Sequence, residues 1–125
     1  MARAATDVIM VIEDDEGTRD ALSVMLSQFG YSALLASNGK EALALLRSTT
    51  VERPCVILVD LWMPEMDGWE FCAMHQADSS LSEIPTIIVT ADARGRRQLG
   101  DLGGVAFLPK PIDVDRLIET IKQLC

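Results

Sequence analysis

The sequence predicts an α/β sandwich, one parallel β-sheet covered by helices on both faces. Three observations carry that prediction. Val8–Ile12, Val56–Val59 and Ile87–Val89 are unbroken apolar runs rather than alternating ones, as strands buried on both faces require. Segments with apolar residues at helical spacing lie between and after them, such as Ala21, Leu22, Met25, Leu26 and Phe29. The connections are short, so the order reads strand–helix five times, and right-handed crossovers then place helices on both sides of the sheet.

In chain order, the first strand is expected over Asp7 to Ile12. It ends on acid, Glu13-Asp14-Asp15-Glu16; Gly17 breaks the chain and a helix follows to about Phe29, stopped by Gly30. Tyr31 to Ala36 is a short second strand. Asn38 is a good N-cap for a helix over Gly39 to Arg47, with Ala42, Leu45 and Leu46 as its buried side. Val56 to Val59 opens the central strand, which stops on Asp60; Pro64 and Gly68 mark the loop beyond it. Trp69 to about Ala77 forms a third helix that buries Phe71 and Met74 or their neighbours, and Asp78 to Pro85 is a polar loop. Thr86 to Thr90 is a β-branched fourth strand. A fourth helix over Ala93 to Leu99 is weakened by Gly95 and Gly100. Val105 to Leu108 is the fifth strand. After Lys110-Pro111, Asp113 caps a last helix that buries Val114, Leu117, Ile118 and Ile121.

Composition narrows the function classes. With 125 residues the chain is expected to form one domain spanning 1–125, long enough to bury a core without staples. Lys plus Arg is 11 against 19 Asp plus Glu, a formal net charge of −8, which argues against direct binding to nucleic acid or to an anionic membrane. No apolar segment is long enough to span a membrane, and Met1 to Ala5 lacks the apolar stretch of a signal peptide. Cys55, Cys72 and Cys125 are odd in number and follow no motif spacing, so they are read as unpaired thiols in a reducing compartment, with the cytoplasm as the default. The single His75 is expected on the surface of a helix rather than as a ligand.

The polar groups carry more. By itself Asp60 has two readings, a loop cap or a ligand at a strand end. Yet four strands end in polar chemistry, at Glu13-Asp14-Asp15, Asp60, Thr90 and just before Lys110. In a parallel sheet these ends share one edge. If the strand order is 2-1-3-4-5, Glu13, Asp14 and Asp60 crowd at the switch point. Crowded carboxylates raise one another's pKa unless a positive charge intervenes. A hard divalent cation with oxygen ligands meets that need, and Mg²⁺ suits it best if phosphate is also bound. A carboxylate, such a cation, Lys110 and the Thr90 hydroxyl make a phosphoryl-transfer site with Asp60 as the nucleophile.

The acidic cluster, the stretch Asp60-Leu61-Trp62-Met63-Pro64-Glu65-Met66-Asp67-Gly68, Thr90-Ala91 and Lys110-Pro111, in that order and at these spacings, resemble the receiver domains of two-component response regulators across essentially the whole chain. The resemblance implies a flavodoxin-like (βα)5 fold. It implies that Asp60 accepts a phosphoryl group from a sensor histidine kinase or a histidine phosphotransfer protein. It implies Mg²⁺ held by Asp14, Asp60 and the backbone carbonyl of Trp62, with Glu13 acting through water. The backbone at Trp62 and Ala91 would hold the phosphoryl group beside Thr90 and Lys110. Arg19 sets the register of the acid pair as Glu13 and Asp14, leaving Asp15 and Glu16 as surface charges. The Lys110-Pro111 bond is implied to be cis.

The family's switch aromatic falls on Phe107, which lacks the hydroxyl or imidazole of Tyr or His; an aromatic there serves either core or switch. The glycine-rich segment Asp92 to Gly104 implies a short or mobile fourth helix. Arg94, Arg96 and Arg97 read as a solvated face, with partner docking as the alternative. Trp62 stands where smaller polar residues are frequent. The expected function is therefore a phosphorylation-driven switch that catalyses only its own phosphorylation and dephosphorylation and acts on an unknown downstream protein, with no output domain in this chain. Two other readings are weighed beside it. A scaffold that binds partners without phosphorylation has no need of the intact acids, Asp60, Thr90 and Lys110. A phosphatase of the haloacid-dehalogenase type needs a second Asp where Trp62 stands.

Overall fold

Five parallel strands form one sheet in the order β2–β1–β3–β4–β5: β1 (Val8–Ile12), β2 (Ser32–Ala36), β3 (Val56–Asp60), β4 (Thr86–Thr90) and β5 (Ala106–Pro109). The computed structural model describes residues 7–48, 52–60, 68–90 and 106–125. The helices among them are α1 (Glu16–Gln28), α2 (Gly39–Arg47), α3 (Gly68–Ala77) and α4 (Val114–Leu124). The segment Asp92 to Gly104, with the helix expected over 93–99 and Arg94, Arg96 and Arg97, lies outside the described residues.

The unbroken apolar runs are explained by the two cores. Successive strand residues point to opposite faces, so Met10, Ile12, Ile57, Val59 and Ile88 pack with Ala42 and Leu43 of α2 and Phe71 and Cys72 of α3. Ile9, Val11, Val56, Leu58, Ile87 and Val89 pack on the other side with Leu26 of α1 and Leu117, Ile118 and Ile121 of α4. A residue such as Ile121, fully buried, stabilises the fold by roughly 1.5–3 kcal/mol relative to exposure. The in-register pairs Ile12↔Val59 and Asp60↔Val89 bring the carboxyl ends of β1, β3 and β4 level with one another.

Element ends follow local chemistry. Asp15, not Gly17, begins α1: its carboxylate accepts hydrogen bonds from the Thr18 N–H at 2.8 Å and the Thr18 hydroxyl at 2.7 Å, so Gly17 lies inside the helix. Gly30 ends it as expected, with φ 88°, a conformation a side chain would resist. Asn38 caps α2 by accepting from the Glu41 N–H at 2.8 Å. β5 runs one residue further than the sequence suggested, to Pro109, and its expected first residue, Val105, lies outside the described residues.

Several expected core positions are corrected. Phe29 is 43% exposed because the chain turns there, and Tyr31 enters the core in its place. Ala21 is exposed. In α2 the deeply buried pair is Ala42 and Leu43, with Leu45 and Leu46 only half-buried at the margin. Val114, in the first turn of α4, is 41% exposed. In α3 Met74 is exposed, while Phe71, Cys72 and His75 are buried.

His75 is the larger correction. It is 4% exposed, not on the surface, with its ring stacked on Phe71 at a centroid distance of 5.8 Å. The two residues are four apart on one helix face, and buried Leu81 and Ile84 of the following turn belong to the same side of the molecule. Nε2 is buried without a hydrogen-bond partner among the described residues. Burial holds its pKa below the ordinary histidine value, against the opposing pull of the Leu81 backbone and the Asp78 charge.

The cysteines are corrected as well. Cys55 and Cys125 are joined in a disulfide, their Cα atoms 5.6 Å apart and 70 residues apart in sequence. Only Cys72 is free, and it is buried. The pair was invisible to spacing because the fold creates it: Cys55 directly precedes β3, and Cys125 directly follows α4, whose apolar face packs on the same core as β3.

Candidate functional site

The site lies at the carboxyl edge of the sheet, where β1 and β3 are neighbours although the chain between them visits β2. Glu13 follows β1 directly, and its N–H continues the ladder to the Ala36 carbonyl at 3.0 Å. Arg19, one turn into α1, donates from Nη1 to the Glu13 carbonyl at 3.0 Å. The residue that marked the acid pair in the sequence thus anchors the backbone of its first member. Asp15 is spent on capping, in agreement with its reading as a surface charge. The Thr18 hydrogen bonds hold its carboxyl below the usual aspartate value.

Glu13, Asp14 and Asp60 each offer an oxygen, and these oxygens lie within 4.8 Å of one another. Glu13 and Asp60 are buried and Asp14 is exposed, so the trio forms a cup with two inner walls and one open side. Lys110 reaches in from the end of β5. Its Nζ lies 2.5 Å from Asp60 Oδ2 and 3.9 Å from Glu13 Oε1. The Lys110-Pro111 bond is cis, as the resemblance implied. Leu22, Leu58, Val89 and Ile112 make an apolar lining around Glu13, Asp60 and Lys110. Charge interactions there are stronger than they would be in water.

The electrostatics follow from that packing. Burial, then the hydrogen bond and charge of Asp60, push the Glu13 carboxyl up to about 8, with Lys110 opposing in part. Without a further cation, Glu13 is therefore largely protonated at neutral pH. Partial burial works against the Lys110 ammonium, but the hydrogen bond and charge of Asp60, backed by Glu13 and Asp14, outweigh it and raise its pKa. Once Glu13 ionises, one lysine does not neutralise the three acids. The all-oxygen donor set suits a hard divalent cation.

The structure therefore brings together Glu13, Asp14, Asp60 and Lys110. Thr90 ends β4 and its backbone pairs with Pro109, the residue before Lys110; its hydroxyl, like Trp62 and Ala91, lies outside the described part of the molecule. Phe107 is half-buried and packs against the core that α2 and α3 share. Sequence reasoning missed a groove of about 700 Å³ beside Lys110, lined by Ala21, Leu22 and Met25 of α1 and by Pro111, Ile112 and Val114. Its signal was present as apolar positions in excess of what the core uses, since Ala21 and Val114 were expected to be buried.

The geometry has close parallels. Residues 9–122 match the family model of the response regulator receiver domain. The response regulator MprA of Mycolicibacterium vanbaalenii is 37% identical over 118 residues, 93% of this chain and 49% of that protein. MprA of Mycobacterium avium is 36% identical over the same length. The chain spans about half the length of these curated relatives. Among solved structures, a response regulator receiver protein from Pseudomonas putida superposes with a TM-score of 0.86 at 27% identity, covering 97% of this chain and 99% of that one. The signal receiver domain of a signal transduction histidine kinase from Syntrophus aciditrophicus gives 0.85 at 30% identity, covering 95% and 89%. Chemotaxis protein CheY4 of Vibrio cholerae gives 0.85 at 26%, covering 97% and 100%.

Proposed function

The chain belongs to the response regulator receiver domains, which serve phosphorylation-dependent signalling, and we propose that here Asp60 is the phosphoacceptor. The supporting observation is the Asp60 carboxylate, buried and paired with Lys110, between two further acids whose oxygens lie within reach of one cation.

An Asp60 oxygen attacks the phosphorus of a phosphohistidine on a sensor kinase or phosphotransfer protein, and the P–N bond breaks as the P–O bond forms. Lys110 Nζ moves from Asp60 to a phosphoryl oxygen, carrying its charge to where negative charge collects. The Thr90 hydroxyl donates to another oxygen, and the backbone at Trp62 and Ala91 completes the cradle. The donor set fits Mg²⁺, which Asp14, Asp60 and the Trp62 carbonyl would hold, with Glu13 acting through water. When bound, it would supply positive charge against the phosphoryl oxygens. The movement of Thr90 and Phe107 then biases an equilibrium between two states toward the one read by a downstream protein. The groove beside Lys110 gives a donor protein an apolar surface within reach of the acceptor. Beyond turning over its own phosphoryl group the domain has no substrate. Among the described residues no helix is long and apolar enough to cross a membrane, and the cytoplasm, where kinases find ATP, is the proposed place of action.

The test is intact mass after incubation with Mg²⁺ and a small acyl phosphate. The wild-type protein should gain one phosphoryl group and Asp60→Asn none. Failure of both the acyl phosphate and beryllofluoride to bind with Mg²⁺ would instead favour a partner-binding scaffold. Turnover of a phosphomonoester would favour a phosphatase.

A further inference from the structure

We propose that the Cys55–Cys125 pair is a redox-operated clamp between the foot of the acceptor strand and the end of the last helix. Thiols open it, their disulfides close it, and its state sets how firmly the Lys110 segment is held at Asp60.

The placement of the two cysteines carries this. Cys55 stands directly before β3, its N–H bonded to the Val8 carbonyl at 2.9 Å, and Asp60 ends the same strand. Cys125 stands directly after α4, its N–H bonded to the Ile121 carbonyl at 2.9 Å, and Lys110 lies just ahead of the same helix. β3 and the 110–125 segment are thus joined twice, ionically at the site through Lys110 and Asp60 and covalently at the far end. Between these joints Leu117, Ile118 and Ile121 share one core with Val56 and Leu58. A Cα separation of 5.6 Å suits the bond without displacing either backbone.

Access makes the chemistry selective. Cys125 is exposed and Cys55 is half-buried at the core margin. Cys72 is enclosed, and burial pushes its thiol up to about 12, so it supplies no thiolate to compete. A low-molecular-weight thiolate attacks Cys125 Sγ, and the S–S bond breaks with its electron pair leaving on Cys55. A second thiolate then attacks the small-molecule sulfur of the mixed disulfide. This frees Cys125 and gives one small disulfide for two thiols oxidised, with protons from solvent neutralising the two protein thiolates. Closure is the reverse, with the small disulfide as oxidant. In a compartment where kinases act, thiols are normally kept reduced, and disulfides found there tend to be redox-sensing rather than permanent; this part of the proposal rests on the function proposed above.

With the clamp open, the last turn of α4 loses its covalent tie to the foot of β3 and frays, as helix ends do. The purified chain is equilibrated in mixtures of reduced and oxidised glutathione from strongly reducing to strongly oxidising, then alkylated and weighed. A single transition should involve Cys55 and Cys125 and spare Cys72. Amide exchange should be about tenfold faster in the reduced form across 122–125, with a smaller rise at Ile112 and Asp113. Phosphorylation by an acyl phosphate should slow several-fold on reduction, and Cys125→Ser and Cys55→Ser should behave as the reduced form at every ratio. No transition at any ratio, or equal exchange at 112–113 in the two forms, overturns the clamp. If neither form is phosphorylated, exchange alone decides the clamp, and it is the assignment of Asp60 that falls.

Discussion

Lys110 and the proposed cation compete for the same carboxylate oxygens, which makes the lysine the most informative residue to change. Lys110→Ala removes a charge 2.5 Å from Asp60 and 3.9 Å from Glu13. Mg²⁺ should then bind more tightly, because the acids lose their built-in neutraliser. Phosphorylation should slow by about a hundredfold, because the transferring group loses a preorganised positive charge. Calorimetry and intact mass read these opposite trends; a parallel loss of both would mean that Lys110 only props the loop. Glu13 and His75 give the pH dependence. The folded pKa of Glu13 is raised from 4.5 to about 8, so the metal-free fold binds an extra proton between those values. Its stabilising share is complete below about 4.5 and is lost as pH rises toward 8. A cation offsets that loss, so the rise in melting temperature on adding Mg²⁺ should be larger at pH 8 than at pH 6. His75 acts with the opposite sign. Its folded pKa is depressed, so its share is complete above the unfolded value of about 6.5 and is lost as pH falls below it. In His75→Phe the fall in stability between pH 7 and pH 5 should flatten, measured by urea unfolding. An unchanged slope would mean that the buried ring takes up its proton without penalty.

Elements depend on the same side chains twice, for making the local structure and for mounting it. α4 is the clearest case: Asp113 starts it, and Leu117, Ile118 and Ile121 seat it on the core. Ile121→Ala should cost about 2–5 kcal/mol in chemical denaturation, since a fully buried side chain leaves a cavity that the sheet cannot collapse into. Asn38→Ala should cost about 1 kcal/mol, the loss of one N-cap bond to Glu41. The strands and caps were legible because their signals are local: Val8–Ile12 and Ile87–Val89 are continuous apolar runs, and Asn38 and Asp113 stand immediately before their helices. The acids and Lys110 were legible because parallel strands must end together. Less legible was which side of each helix faces inward. Helical spacing alone made Phe29 and Val114 core residues, whereas a turn at Gly30 and a groove under α1 expose them. His75 was misplaced for the same reason, since burial of a polar ring depends on the turn that closes over it.

At the scale of the whole molecule, the disulfide is the feature least accessible to the sequence and the one with the largest reach. It closes a loop of 70 residues that contains β3, α3, β4, β5 and α4. Joining the ends of such a loop removes configurations from the unfolded chain, worth about 4 kcal/mol at 25 °C on chain-entropy grounds. That is a large share of the roughly 5–15 kcal/mol by which domains of this class are stable. Reduction should therefore lower the melting temperature by on the order of 10 °C. It should also steepen the dependence of unfolding free energy on urea, because the unlinked unfolded chain is less compact and exposes more surface. Cys55→Ser, Cys125→Ser and the double variant should all melt with the reduced wild type, because each opens the same loop. Cys72→Ala should instead cost what an ordinary small cavity costs, by the same amount with and without added thiol, since its side chain is buried in the core that α2 and α3 share and takes no part in the bond. A reduced protein that melts with the oxidised one would show that the unfolded chain holds Cys55 and Cys125 together without the bond. The site at the opposite end of β3 would then owe its order to packing and to the Lys110–Asp60 pair alone.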